Sequence, residues 1–197
     1  MAVIGVLALQ GDYEAHAAAL RRAGAEPREV RRAAELEGLD GLIIPGGEST
    51  SMLRLMEDCS LMAPLRAFGE RKPVFGTCAG AILLAAEVLN PPQPSLALMD
   101  MTVERNAYGR QLDSRVARIA GHALENGDLE AVFIRAPIIR RVGAGCRVLA
   151  TYLGDPVLVE SGRHMAATFH PELTADGRVH SRFLQHVEIS RQTAGRR

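Results

Sequence analysis

The 197-residue sequence has no net charge, since 23 Lys and Arg side chains balance 23 Asp and Glu. A neutral chain exerts no whole-molecule pull on nucleic acid or anionic membranes. Local pairs such as Arg31-Arg32 and Arg140-Arg141 then read as solvated faces or partner contacts. Cysteine is scarce: Cys59, Cys78 and Cys146 are odd in number and widely spaced. They form no zinc knuckle, redox CxxC or disulfide framework. That usage fits a reducing compartment, with each thiol either buried and inert or used for chemistry. No basic flank precedes the apolar run from Met1 to Leu7, which gives way to Gln10-Gly11-Asp12. It is too short for a membrane span and lacks signal-peptide anatomy, so the expected location is the cytoplasm. Lys72 is the only lysine. No internal repeat or low-complexity linker interrupts the chain, and the expectation is one domain over residues 1–190. The polar stretch 191–197 is expected to fray.

What is present suffices for a core. Hydrophobic residues make up 47% of the chain, and a domain of this size buries roughly 70% of the surface its unfolded chain exposes. No disulfide or metal staple is required. Short apolar runs alternate with helical patterns. Val3 to Leu9 reads as a strand, turned by Gln10-Gly11, with Asp12 as N-cap of a helix ending near Gly24. Leu42 to Ile44 repeats the theme, followed by Pro45-Gly46-Gly47 and a helix capped within Ser49 to Ser51. Val74 to Gly76 is a third strand, and Ala79 to Leu89 reads as one helix. After Asn90-Pro91-Pro92 the texture turns to strands: Leu96–Glu104, Val132–Arg135, Val148–Tyr152, Val157–Glu160 and Met165–Phe169. A last helix is expected over about Arg178 to Val187. The pattern predicts an α/β fold: a three-layer, open, mostly parallel sheet with helices on both faces and a partly antiparallel extension. In such sheets ligands bind where strands end and helices begin. Three of these junctions carry unusual residues: Gln10-Gly11, Gly46-Gly47-Glu48-Ser49 and Gly76-Thr77-Cys78-Ala79-Gly80.

The last of these is a G-x-C-x-G sequence between a strand and a helix, the thiol counterpart of a nucleophile elbow, which needs small residues on both sides of a sharp turn. A free thiol of pKa ~8.5 is only about 3% thiolate at neutral pH. A helix N-terminus and a histidinium together can lower that value into the range of roughly 3.5–7.5. Alone, Cys78 would read as a small core residue; the elbow favours chemistry. Thr168-Phe169-His170-Pro171-Glu172 follows an apolar run. His170 can accept the thiol proton and return it to a leaving amine. Glu172 can bind the other ring nitrogen and set the tautomer. The remaining histidines, His16, His122, His164, His180 and His186, lack such a carboxylate-bearing turn, and His180 and His186, on the expected last helix, read as solvated or packed. For a developing oxyanion, the N–H of Ala79 is one donor, and the side-chain-free turn at Gly46-Gly47 offers another. A phosphate loop is disfavoured, because no lysine follows the glycines and Glu48 would repel a phosphate.

Taken together these residues resemble the class I (triad) glutamine amidotransferases, with Cys78, His170 and Glu172 as the triad. The finer resemblance is to the glutaminase subunits of pyridoxal 5′-phosphate synthase. It rests on Gly5–Gly11, Pro45–Thr50, Gly76–Gly80, Val103–Gln111, Phe133–Pro137 and Ala167–Leu173, and spans about residues 3 to 187. The resemblance implies a glutamine pocket lined by Gly47, Glu48, Ser49, Arg105, Ile134 and Arg135, with Gln10 near the oxyanion site or a partner interface. Arg105 or Arg135 suits the substrate α-carboxylate, since a guanidinium binds it bidentately. Glu48 is either a counterion for the α-ammonium or a helix cap. The resemblance further implies L-glutamine hydrolysis, no cofactor or metal, and ammonia delivery to a (β/α)8-barrel synthase subunit. Other readings are a glutaminase for a different synthase, a stand-alone cysteine hydrolase, and a non-catalytic interaction subunit.

Overall fold

The computed structural model describes residues 1–106, 114–120 and 122–195. The stretch Ala107–Gln111 of the fourth family motif therefore lies outside the described residues. Five parallel strands form the centre of the molecule: β1 (Val3–Leu7), β2 (Glu26–Val30), β3 (Gly41–Ile44), β4 (Val74–Thr77) and β12 (His164–Ala167). Two further strands, β10 (Cys146–Tyr152) and β11 (Asp155–Ser161), extend the sheet antiparallel beyond β12. The order is β10-β11-β12-β4-β3-β1-β2. This is the expected mostly parallel sheet with its antiparallel extension.

Period-two alternation within the strands feeds two cores. Leu42 and Ile44 of β3 and Val74 of β4 point to one face. There they meet Met52, Leu53 and Met56 of α2 (Ser49–Asp58), Leu65 and Phe68 of α3 (Met62–Gly69), and α4 (Ala79–Leu84). A small sheet of β5 (Ala85–Leu89), β6 (Met99–Glu104) and β9 (Ile138–Val142) closes that side. Ile4, Val6, Ile43 and Phe75 point to the other face. They pack against Leu20 of α1 (Tyr13–Arg22) and against Val179, Phe183 and Val187 of α5 (Arg178–Ala194). The hairpin β7–β8 (Ser114–Ile119 and Leu129–Ile134) joins this second core. Helices thus cover both faces. Among the described residues no helix is long and apolar enough to cross a membrane.

Several local readings change. The run Ala79–Leu89 is not one helix: it breaks after Leu84 and continues as β5. Six successive residues, Ala79 to Leu84, are all buried, so the run has no amphipathic period to separate helix from strand. β2, with the polar sequence Glu26-Pro27-Arg28-Glu29-Val30, was not expected. Among the described residues it is an edge strand that pairs only with β1, which tolerates its proline and charges. The helix capped within Ser49–Ser51 is instead capped by Glu48, whose carboxylate accepts from the N–H groups of Thr50 and Ser51 at 2.9 and 2.7 Å. Asp12 occupies the N-cap position of α1 but its side chain makes no cap hydrogen bond. The last helix runs past Val187 to Ala194.

Candidate active site

Because β1, β3, β4 and β12 are parallel neighbours, their C-terminal ends meet at one edge. The three unusual junctions and the His170 turn gather there. Cys78 sits between β4 and α4 at φ 48° and ψ −104°, a conformation that non-glycine residues rarely adopt. A Cβ on Gly76 would collide with the Gly80 carbonyl, and one on Gly80 with the Ile44 carbonyl. Both flanking glycines are thus required by backbone, which is the elbow geometry. The first intrahelical hydrogen bond runs from Ile82 N–H to the Cys78 carbonyl at 3.2 Å. The Ala79 N–H therefore has no partner within the helix and remains available at its start.

His170 follows β12 and is 4% exposed. Its Nδ1 is 2.7 Å from Glu172 Oε1, which leaves Nε2 for the Cys78 thiol. Burial opposes charge on this ring, but hydrogen bonds with Cys78 and Glu172 outweigh it and raise the His170 pKa to about 10. The ring is thus held between the Cys78 sulfur and the Glu172 carboxyl. Gly46 makes room for the ring, since a Cβ there would strike His170 Cε1.

A cavity of roughly 330 Å³ opens over the thiol, large enough for an amino-acid side chain and backbone. Gly47, Glu48, Ser49, Cys78, Arg105, Ile134, Arg135 and His170 all line it, so every expected pocket residue is brought together with Cys78 and His170. Asp12, Ile82 and Asn106 also line the cavity and were not foreseen in that role. Gln10 lies beneath the glycine turn, and its side-chain amide donates to the Glu48 carbonyl at 3.0 Å. Gly47 has φ +148°, and a Cβ on it would run into Gln10.

Arg105 Nη2 donates to Thr50 Oγ1 at 2.5 Å and lies 3.7 Å from Glu48 Oε1. Arg105 Nε is buried without a hydrogen-bond partner among the described residues. Burial opposes the Glu48 charge, but backbone and hydroxyl donors from Thr50 and Ser51 bring its pKa down to about 2. Arg135, like Cys78, has positive φ, at 42°, and strain of this kind concentrates at functional sites. Among the described residues one group of three metal-ligating side chains converges within 4.8 Å: Asp12, His170 and Glu172. Its His170 nitrogen and a Glu172 oxygen are already hydrogen-bonded to each other.

From the sequence His16 only lacks a carboxylate-bearing turn, and His180 reads as solvated or packed. They are fully buried, and His16 Nε2 lies 3.3 Å from Glu172 Oε2. No local motif signals this, because the residues come from opposite ends of the chain.

The SNO glutamine amidotransferase family matches residues 6–189. The chain belongs to this family. It is 60% identical, over 95% of its length and 100% of the relative's, to pyridoxal 5′-phosphate synthase subunit PdxT of Solibacter usitatus (strain Ellin6076). It is 52% identical, over 93% of its length and 95% of the relative's, to the PdxT subunit of Koribacter versatilis (strain Ellin345). A crystal structure of a glutamine amidotransferase superposes with TM-score 0.87 at 46% identity, covering 94% of this chain and 98% of that one.

Proposed function

We propose that this chain is the glutaminase subunit of a pyridoxal 5′-phosphate synthase. It hydrolyses L-glutamine to L-glutamate and ammonia within a single domain over residues 1–190, and a (β/α)8-barrel synthase subunit consumes the ammonia. The reaction needs no cofactor, and the working location is the cytoplasm. The observation that carries this reading is Cys78 held at positive φ on a glycine-flanked elbow, beside a His170–Glu172 pair 2.7 Å apart.

In the proposed mechanism glutamine enters with its α-carboxylate against Arg105 and its α-ammonium near Glu48. Gly47, Ser49, Ile134 and Arg135 complete the walls. The Cys78 thiolate attacks the side-chain carboxamide carbon, and the oxyanion is met by backbone N–H groups of Ala79 and Gly47. Gln10 supports that turn from below. His170 gives its Nε2 proton to the departing nitrogen, so ammonia leaves and a thioester remains. Neutral His170 then takes a proton from water. The hydroxide adds to the thioester, glutamate departs, and the thiolate–imidazolium pair is restored. Glu172 keeps the Nδ1 proton in place throughout.

The test is glutamate release by the purified chain, alone and with the barrel subunit added. Stimulation by the barrel, absent in Cys78→Ala, supports the assignment. Fast unstimulated turnover would make the chain a stand-alone hydrolase instead.

A further inference from the structure

Behind the site, away from the substrate cavity, His16 on α1 and His180 on α5 are both 0% exposed and packed against each other. His16 Nδ1 lies 3.0 Å from His180 Nε2. The other ring nitrogen, His16 Nε2, faces the Thr77 hydroxyl at 3.1 Å and Glu172 Oε2 at 3.3 Å. Burying two imidazoles is costly unless their polar atoms are matched, and apolar packing alone would not select them.

The proton positions follow from the carboxylate end. As the triad's orienting carboxylate Glu172 only accepts, and on that reading the nitrogen facing its Oε2 carries hydrogen. Burial, with repulsion from His180 and His170, drives the His16 pKa well below 6.5. The ring is therefore neutral with one N–H, on Nε2. Its Nδ1 is then a lone pair that accepts from His180 Nε2–H. His180 is also neutral, its pKa brought to about 4 by burial and then by Arg22. Its Nδ1 is left bare, and that atom indeed has no hydrogen-bond partner among the described residues. Glu172 Oε2 likewise has no hydrogen-bond partner among the described residues; His16 Nε2, which is hydrogen-bonded with Thr77, stands 3.3 Å from it.

Resting on the reading of Glu172 as the triad's orienting carboxylate, we propose that His16 and His180 are positioning residues for glutamine hydrolysis. His180 fixes the tautomer of His16, and His16 presents its N–H to the far oxygen of Glu172, steadying the carboxylate that orients His170. The titratable groups around Glu172 are His170, His16 and, beyond them, His180, Cys78 and Asp12, whose carboxylate is 4.0 Å from His170.

The experiment compares His16→Leu, His16→Gln and Glu172→Gln with wild type. One readout is glutamine hydrolysis with the barrel subunit present. The other is the pH profile of Cys78 alkylation by iodoacetamide, in a Cys59→Ser background because Cys59 is exposed. His16→Leu is expected to lower kcat about tenfold with KM within about twofold, since it disturbs orientation rather than binding. A carboxylate that loses a donor protonates sooner, so the acid limb of the profile should rise by about one pH unit. His16→Gln, which supplies an amide N–H, should restore most of both. Wild-type kcat and acid limb in His16→Leu, with Glu172→Gln impaired, overturn the proposal alone. Equal damage from Gln and Leu also overturns it, by reducing His16 to packing. An unimpaired Glu172→Gln brings down the triad reading and this proposal with it. Should His16→Leu not fold, ring 15N shifts of the wild-type protein decide: a neutral Nε2–H tautomer of His16 supports the relay, and a charged or Nδ1–H ring overturns it.

Discussion

The backbone N–H of Cys78 donates to the Ala167 carbonyl at 2.8 Å. Ala167 ends β12, three residues before His170, and pairs with Thr77 at the end of β4. One interstrand hydrogen bond therefore ties the backbone of Cys78 to the strand that leads into His170. Relative placement of thiol and imidazole is a property of sheet register, not of loop conformation, and rigid elements hold reacting groups better than loops do.

Cys78→Ala should reduce glutamate release by roughly 10³-fold or more. The substitution keeps a Cβ at the same backbone, so its melting temperature should stay close to wild type. A coupled glutamate assay and a thermal melt check both halves, and retained turnover would remove Cys78 from the nucleophile's role.

In wild type the His170 ring should remain an imidazolium up to about pH 10, because Cys78 and Glu172 outweigh its burial. A pKa raised above the unfolded value contributes stability fully below about 6.5, lost as pH rises through the folded value. Removing the thiol in Cys78→Ala takes away one supporting partner and should lower this pKa by about a unit or more. An NMR titration of the ring checks it; an unchanged value would mean that Glu172 alone sustains the charge.

Gly46→Ala should impair the rate more than the fold. The new methyl meets the His170 ring, and overpacking of this kind costs about 1–3 kcal/mol, while a displaced base costs rate directly. Gly80→Ala should behave the other way, because its methyl meets fixed backbone at Ile44. Expression yield and melting temperature should fall first there. Parallel melts and kcat measurements on the two variants separate them.

Acid should destabilise the protein well before its carboxylates titrate. Burial holds His164 and His180 at about 4, and pushes His16 below its ordinary value. Depressed folded pKa values mean that the unfolded chain binds more protons between about pH 6.5 and 4, so stability falls as pH drops through that window. His164 adds a specific loss, since its Nδ1 accepts from the Val74 N–H at 3.2 Å. The upper bound is roughly 3 kcal/mol for each of His164 and His180. Urea melts at neutral pH and near pH 5 should show the drop, with His164→Asn less sensitive; a flat profile would contradict it.

The glycine-flanked junctions were legible because their chemistry is local: small residues, a thiol and a His-x-Glu turn each announce themselves within a few positions. Short apolar runs before each junction were enough to set the parallel sheet. β2 escaped because an edge strand can be polar, and the break at Leu84–Ala85 escaped because a wholly buried run carries no period. The role of Glu48 was open between cap and counterion. Its carboxylate does cap α2, and it also stands near Arg105, so the two readings share one side chain. His16 and His180 were illegible for a different reason. Their meaning depends on a contact between residues 164 positions apart, which no motif encodes.

The parallel sheet also decides where a covalent handle would sit. Lys72 lies just before β4, at the end of the strands opposite the one that carries Cys78, and no other lysine side chain exists in the sequence. Amine-reactive chemistry directed at that single side chain would tether the molecule by the floor of its sheet. The edge that carries Cys78 and His170 would then face solution on a sensor surface.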